Sequence, residues 1–357
     1  MAQKIIDGHM HIPQWICRDG ALAFDVIDAY CETAGIAYVD NMCCSNNRNL
    51  WDGYEMDQSI LGAIAKLENS RVFTHGCLYI PQDVSLTGQY RFTDQLEELM
   101  ELGLDGIKIC DFKPDAYKIL SVEARLDEYE AFLDACEKYG VHMCWHIADP
   151  EYFWDESQVS ESIKKLGWFY GDGSYPSYEK LISWAIGAIE RHPKLHVQLA
   201  HAFFKSFAPD EMEALLASHP HVTIDLAPGG EMFEGYRANY DAWYRIFRVY
   251  SDRFLFATDT SPAYLDGGMR DLARKVRRFL ETDDVYAYSD KITAHGIKLE
   301  QAHLDNILYK NHDREVGLAP KPVSRAALKR YIERYLPLMP DSRNRQMTEE
   351  YYRKHLL

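Results

Sequence analysis

DQLEELMELGLDGIKIC, residues 94–110, contains one full repeat of the fold. Its first half reads as an amphipathic helix. Asp94 with a glutamate three positions later makes a capping-box-like start, and Gly103 makes the stop. Its second half, DGIKIC (105–110), reads as a short apolar strand. The same order recurs along the chain. Strands are expected at IIDGH (5–9), AYVDNM (37–42), RVFTHGCLY (71–79), DGIKIC, VHMCWHI (141–147), HVQLAH (196–201), HVTIDLA (221–227) and RFLFATD (253–259). Helical patterns lie between them, such as DVIDAYCETAG ending at Gly35 and ARLDEYEAFLDACEKYG ending at Gly140. Strictly alternating strands and helices imply a parallel sheet with helices outside it, and eight units imply a closed (β/α)8 TIM barrel of α/β class. A doubly wound open sheet is the runner-up, but no G-x-G-x-x-G follows the first strand.

Composition bounds the function. The chain has 357 residues, 47% of them hydrophobic, enough for a sizeable core. Its net charge of −16 argues against a nucleic-acid or anionic-membrane partner. No apolar run reaches membrane length, and MAQKIIDGH enters the first strand with no apolar signal segment. Eight cysteines without framework spacing read as free thiols, so a cytoplasmic location is expected. Cys43-Cys44 reads as the tail of a strand.

In a barrel, chemistry gathers at the C-terminal ends of the strands. Strand 1 ends in DGHMHI (7–12), where period-two alternation aims His9 and His11 the same way. Strand 4 carries Lys108, strand 5 His146, strand 6 His201 and strand 8 Asp259. Each has a bland reading as a rim cap, a turn residue or a snorkelling lysine. Five hydrophilic groups closing five apolar runs on one face point instead to a metal site.

D-x-H-x-H on strand 1, His on strands 5 and 6 and Asp on strand 8 resemble the amidohydrolase superfamily. The closer likeness is to its amidohydrolase-related branch, which includes aminocarboxymuconate-semialdehyde decarboxylase and similar enzymes. PSYEKLISWAIGAIERHPKLHVQLAHAF, DRFLFATD and GIKLEQAHLDNILYKNHDREVGL add to the likeness, which spans roughly residues 3–318. It implies that His9, His11, His146 and Asp259 surround one divalent metal, for which neutral imidazoles and a carboxylate suit zinc. It further implies Asp259 as general base and His201 at the substrate oxyanion or the attacking water. In binuclear branches a strand-4 lysine is carbamylated and bridges two metals. Lys108 makes that the alternative, and otherwise it holds a substrate anion or a nearby carboxylate.

The longest connection, ADPEYFWDESQVSESIKKLGWFYGDGSYPSY (148–178), reads as an aromatic lid or as a subdomain packed on the rim. After strand 7, Glu231 and Arg237 are candidate substrate contacts, as is Trp15 after strand 1. Residues 1–318 are expected to form the barrel and 319–357 a C-terminal helical extension of the same domain, packed on the barrel or on a second subunit of a homo-oligomer. The leading reading is a hydrolase in which metal-activated water attacks an amide, ester or lactone of a small substrate, an acidic one included. A non-hydrolytic metal-dependent decarboxylase is the alternative, and a non-catalytic metal-binding barrel the second.

Overall fold

The computed structural model describes residues 4–12, 17–18, 21–22, 24–44, 58–261 and 268–357. Eight parallel strands form one sheet in sequence order: β1 (Ile6–Met10), β2 (Tyr38–Met42), β3 (Val72–Gly76), β4 (Gly106–Phe112), β5 (Met143–Ile147), β6 (Val197–Leu199), β7 (Val222–Asp225) and β8 (Phe254–Leu255). The last strand returns to the first. Gly8 N–H donates to Phe256 O at 2.9 Å, Asp259 N–H to His9 O at 2.8 Å and His11 N–H to Thr260 O at 2.8 Å. This is the TIM barrel that the alternation implies, and all eight expected strands are present.

A helix follows each strand, beginning with Asp25–Ala34, Gln58–Glu68, Phe92–Leu102 and Leu126–Tyr139 and continuing with Tyr178–Arg191, Pro209–Ser218, Tyr240–Val249 and Gly268–Glu281. Their inner faces and both faces of the strands form the core; every residue of β4 is buried. Gly103 shows why a glycine stop is needed. Its φ is 89°, and a Cβ there would collide with the carbonyl of Pro322. The helix before it starts at Phe92, two residues earlier than expected, so Asp94 sits in the first turn and complements the helix dipole.

Helices Arg325–Tyr335 and Arg343–His355 lie against the barrel's outer layer. Arg330 pairs with Glu101 and Arg334 with Glu98, while Tyr351 OH donates to Glu68 at 2.9 Å. An antiparallel ribbon, Val285–Ala287 with Thr293–His295, lies outside the alternating pattern.

Candidate metal centre

Four histidines meet at the C-terminal mouth, and each has one ring nitrogen tied to a fixed oxygen. His9 Nδ1 lies 2.8 Å from Asp225 Oδ2, and His11 Nδ1 lies 2.6 Å from Met42 O. His201 Nδ1 lies 3.1 Å from Ala227 O, and His146 Nε2 lies 3.1 Å from Ala148 O. These oxygens only accept, so the tied nitrogens carry the protons. The other nitrogens are left with lone pairs, and they face one another in pairs. His9 Nε2 and His11 Nε2 are 3.2 Å apart, as are His201 Nε2 and His146 Nδ1.

Asp259 completes the group. Its Oδ1 is 3.0 Å from His11 Nε2 and 3.6 Å from His9 Nε2. His9, His201 and Asp259 each offer an atom within 4.8 Å of the other two. His201 thus lies beside His9 and Asp259, and His146 stands behind it, one ring away. Lys108 is fully buried, with Nζ 3.3 Å from His9 Nε2 and 3.3 Å from Cys144 Sγ.

The electrostatics suit a cation. Burial, and next the Lys108 charge, hold His9 down at about 3 against the pull of Asp225, so its ring is neutral. Burial likewise lowers His146 to about 4. Burial alone would raise Asp259, but the His11 hydrogen bond and the charges of His201, His11 and His9 hold it well below the usual carboxylate range. Burial opposes the charged form of His11 too, and Asp259 outweighs it and raises His11. Facing lone pairs beside an ionised carboxylate need positive charge between them. A proton on His11 supplies some of it, and a divalent metal fits the donor set of neutral imidazoles and carboxylate.

The backbone makes this convergence local. His201, Ala202, Phe203 and Phe204 all have φ between 49° and 57°, a single left-handed turn directly after β6. Ala148 after β5 and Asp259 after β8 are left-handed as well. Such residues cost roughly 1–2 kcal/mol each, and strain of this kind collects at sites where side-chain direction matters. The turn swings Phe204 back until its ring is 5.4 Å from His201 and 5.5 Å from His146.

Asp225 is a residue that reading strand ends passed over. It is fully buried, receives His9 Nδ1 and Gln198 Nε2 (2.7 Å) on Oδ2, and accepts His201 N–H (2.8 Å) on Oδ1. Burial would raise its carboxyl, yet His9, His201 and Lys108 hold it well below the ordinary range. The signal was present: an aspartate inside the apolar run VTIDLA. Cys44, read from the sequence as a strand tail, has its sulfur 3.1 Å from that of Cys110 and 3.9 Å from His11 Nδ1.

Asp7 faces away from the ligand side chains. It accepts from Thr258 N–H (3.0 Å), Thr258 Oγ1 (2.7 Å) and Tyr30 OH (2.8 Å), bracing β1 to the segment that carries Asp259. Trp15 lies outside the described residues. Arg237 is exposed at the end of helix Gly230–Ala238. Glu231, at the start of that helix, lines a crevice of about 700 Å³, and Phe204, whose ring touches His201 and His146, lines it too. The long segment after β5 packs on the rim as an aromatic layer. Trp154 lies 5.0 Å from Tyr170 and 5.5 Å from Tyr178, and Lys113 ties the layer to β4 by pairing with Asp149.

Among solved structures, the chain is similar to an uncharacterized TIM-barrel protein from Bordetella bronchiseptica. They are 13% identical with a TM-score of 0.54, over 88% of this chain and 100% of that one. It is also similar to Metarhizium anisopliae IDCase (12% identity, TM-score 0.48, 88% and 97% covered). A mutant of a PTE-like lactonase from Deinococcus radiodurans gives 12% identity and a TM-score of 0.48, with 88% and 95% covered. At these identities the first likeness speaks to fold alone, and the other two add no argument. No curated protein matches the chain. The amidohydrolase family model matches residues 6–311, from β1 through β8 and the helix beyond, so the span that carries every strand-end group above is the span that matches, and the chain belongs to the amidohydrolase family.

Proposed function

We propose that this amidohydrolase is a hydrolase of amides, esters or lactones, with His9, His11, His146 and Asp259 holding one divalent metal, zinc by its donor set. The observation that carries the reading is the convergence of His9 Nε2, His11 Nε2 and Asp259 Oδ1 within 3.6 Å of one another. When bound, the metal supplies Lewis acidity and makes water acidic enough to ionise near neutral pH. Asp259 is ionised, and its side chain is 36% accessible, so it accepts a proton from incoming water and returns it to the leaving group. His201, with its Nδ1 proton on Ala227 O, turns the Nε2 lone pair to the site, where it accepts a hydrogen bond from the attacking water.

A binuclear site bridged by a carbamylated Lys108 is favoured by one observation, the placement of Nζ 3.3 Å from His9 Nε2. Decarboxylation needs a substrate carboxylate beside the metal. It is the alternative reading, and the comparison of acid release with CO₂ release below separates it from hydrolysis. The seven cysteines among the described residues are buried thiols in no disulfide, which supports a reducing, cytoplasmic setting. Among the described residues no helix is long and apolar enough to cross a membrane. The proposed ligand is a small molecule, and a homo-oligomer is checked by light scattering. Metal analysis of purified protein, then a panel of amides, esters and lactones scored for acid release against CO₂ release, tests the reading. Absence of metal, or CO₂ as the product, overturns it.

A further inference from the structure

The crevice beside the metal centre carries a chemistry that hydrolysis does not use. Its volume of about 700 Å³ is within the range of small-molecule sites. Five carboxylates line it: Glu151 and Asp155 from the segment after β5, Glu179 from the helix that follows, and Glu231 and Glu234 from the helix after β7. Tyr152, Trp154, Tyr178 and Phe204 form its aromatic walls. Against five acids stands one lysine, Lys205, and Glu211 already neutralises it.

Exposed acids alone mark nothing, but Glu231 is not exposed in that way. Its Oε1 is buried and has no hydrogen-bond partner, and its carboxyl folds back over Gly229, where even a Cβ would meet it. A buried carboxylate oxygen without a partner is costly, and a cation beside it removes the cost. Burial pushes the Glu231 carboxyl up from its ordinary value, against its own backbone N–H and the charge of His201. Aromatic faces add to the attraction, since ring quadrupoles draw ammonium groups to within about 6 Å of the centroid. Lys205 shows the effect, with Nζ 5.1 Å from the Tyr178 ring centroid.

We propose that the crevice is a subsite for a cationic group of the ligand, an alkylammonium or protonated amine, with Glu231 as its charge partner and Tyr152, Trp154 and Tyr178 as its walls. This rests on the hydrolase reading only in calling the ligand a substrate. Phe204 touches the catalytic histidines on one side and the crevice on the other, so the ammonium end and the scissile bond of one small molecule span the two. The subsite then selects esters, amides or lactones that carry an amine and rejects those that carry a second carboxylate.

The test needs neither turnover nor metal. Choline, its neutral isostere 3,3-dimethylbutan-1-ol and the anion 3,3-dimethylbutanoate are titrated by calorimetry into the chelator-treated protein. Choline should bind at least about tenfold more tightly than the neutral isostere, and the anion should not bind. Glu231→Gln should weaken choline about tenfold and leave the neutral isostere unchanged. Trp154→Leu should weaken choline while thermal melts report whether each variant is folded. Equal binding of choline and the isostere, or undiminished choline binding by a folded Glu231→Gln protein, overturns the proposal. Selective choline binding by a protein that proves to lack hydrolase activity keeps the subsite and rejects the hydrolase reading. Hydrolysis without choline selectivity does the reverse.

Discussion

Asp225 Oδ2 stands 2.8 Å from His9 Nδ1 and thereby decides which nitrogen of His9 faces the metal centre. The carboxylate can only accept, so the proton stays on Nδ1 and the lone pair on Nε2. The same carboxylate accepts the backbone N–H of His201 at 2.8 Å, so one buried group from β7 sets a ligand and the substrate-facing His201 together. Asp225→Asn places an amide N–H₂ either at the Oδ2 position, against the His9 proton and Gln198 Nε2, or at the Oδ1 position, against the backbone N–H groups of His201 and Ala227. Either His9 or the His201 turn must then shift. Metal affinity should fall ~10–100-fold, measured by chelator competition, with the circular dichroism spectrum unchanged. Wild-type affinity in that variant would remove Asp225 from this role.

His146 and His201 share one close contact, Nδ1 to Nε2 at 3.2 Å, yet they are assigned different work. If His146 holds metal and His201 acts on substrate, the two asparagine variants part company. His146→Asn should lose metal. His201→Asn should keep one metal per chain while turnover drops ~10²–10⁴-fold. Metal analysis and a rate assay on the same preparations decide. Loss of metal from His201→Asn instead would make His201 a ligand, as its place beside His9 and Asp259 also allows.

Much of this was legible because barrels obey a period. Apolar runs, glycine stops at Gly35, Gly103 and Gly140, and hydrophilic strand ends sufficed for eight strands and for the group His9, His11, His146, His201, Asp259 and Lys108. Height inside the barrel was not legible. His75 is the second-last residue of β3, a strand end like the others, but it bonds Asp40 (2.8 Å) and His142 (2.7 Å) in a separate buried cluster. Strands of a closed barrel are staggered, so equal strand positions lie at different depths, and a sequence gives no stagger. Asp225 was missed because it ends β7 inside an apolar run that reads as a plain strand. The left-handed turn at His201–Phe204 was missed because no glycine or asparagine announces it.

Asp7 gives a pH dependence with a definite sign. Burial pushes its carboxyl up to about 7, against the hydrogen bonds from Thr258, Tyr30 and the His9 backbone. In the folded chain it therefore keeps a proton that the unfolded chain releases near the ordinary aspartate value. Between about pH 4 and 7 the native state binds more protons, so stability falls as pH rises through that window, by at most about 4 kcal/mol. Asp7→Asn mimics the protonated form, and the hydroxyls of Tyr30 and Thr258 can rotate to suit the amide. Urea unfolding of chelator-treated protein at pH 5 and pH 8 should show a smaller loss for the variant than for the wild type. Equal losses would mean that Asp7 is already ionised in the native state.

Lys108 separates one metal from two. Its Nζ is buried 3.3 Å from His9 Nε2, close enough for an ammonium there to repel a cation held by His9. With a single metal, Lys108 is an ordinary ammonium, and Lys108→Met removes that repulsion while nearly keeping the volume. Metal content should stay at one per chain, and affinity by chelator competition should stay level or tighten. With two metals the amine must be carbamylated, because an ammonium cannot ligate a cation. Lys108→Met should then lose metal, and bicarbonate should speed reloading of the stripped wild type but not of the variant. We expect one metal and no effect of bicarbonate, since His9, His11, His146 and Asp259 already supply the donors that a single ion needs. A carbamate mass shift on the Lys108 peptide, with two metals per chain, would reverse that assignment.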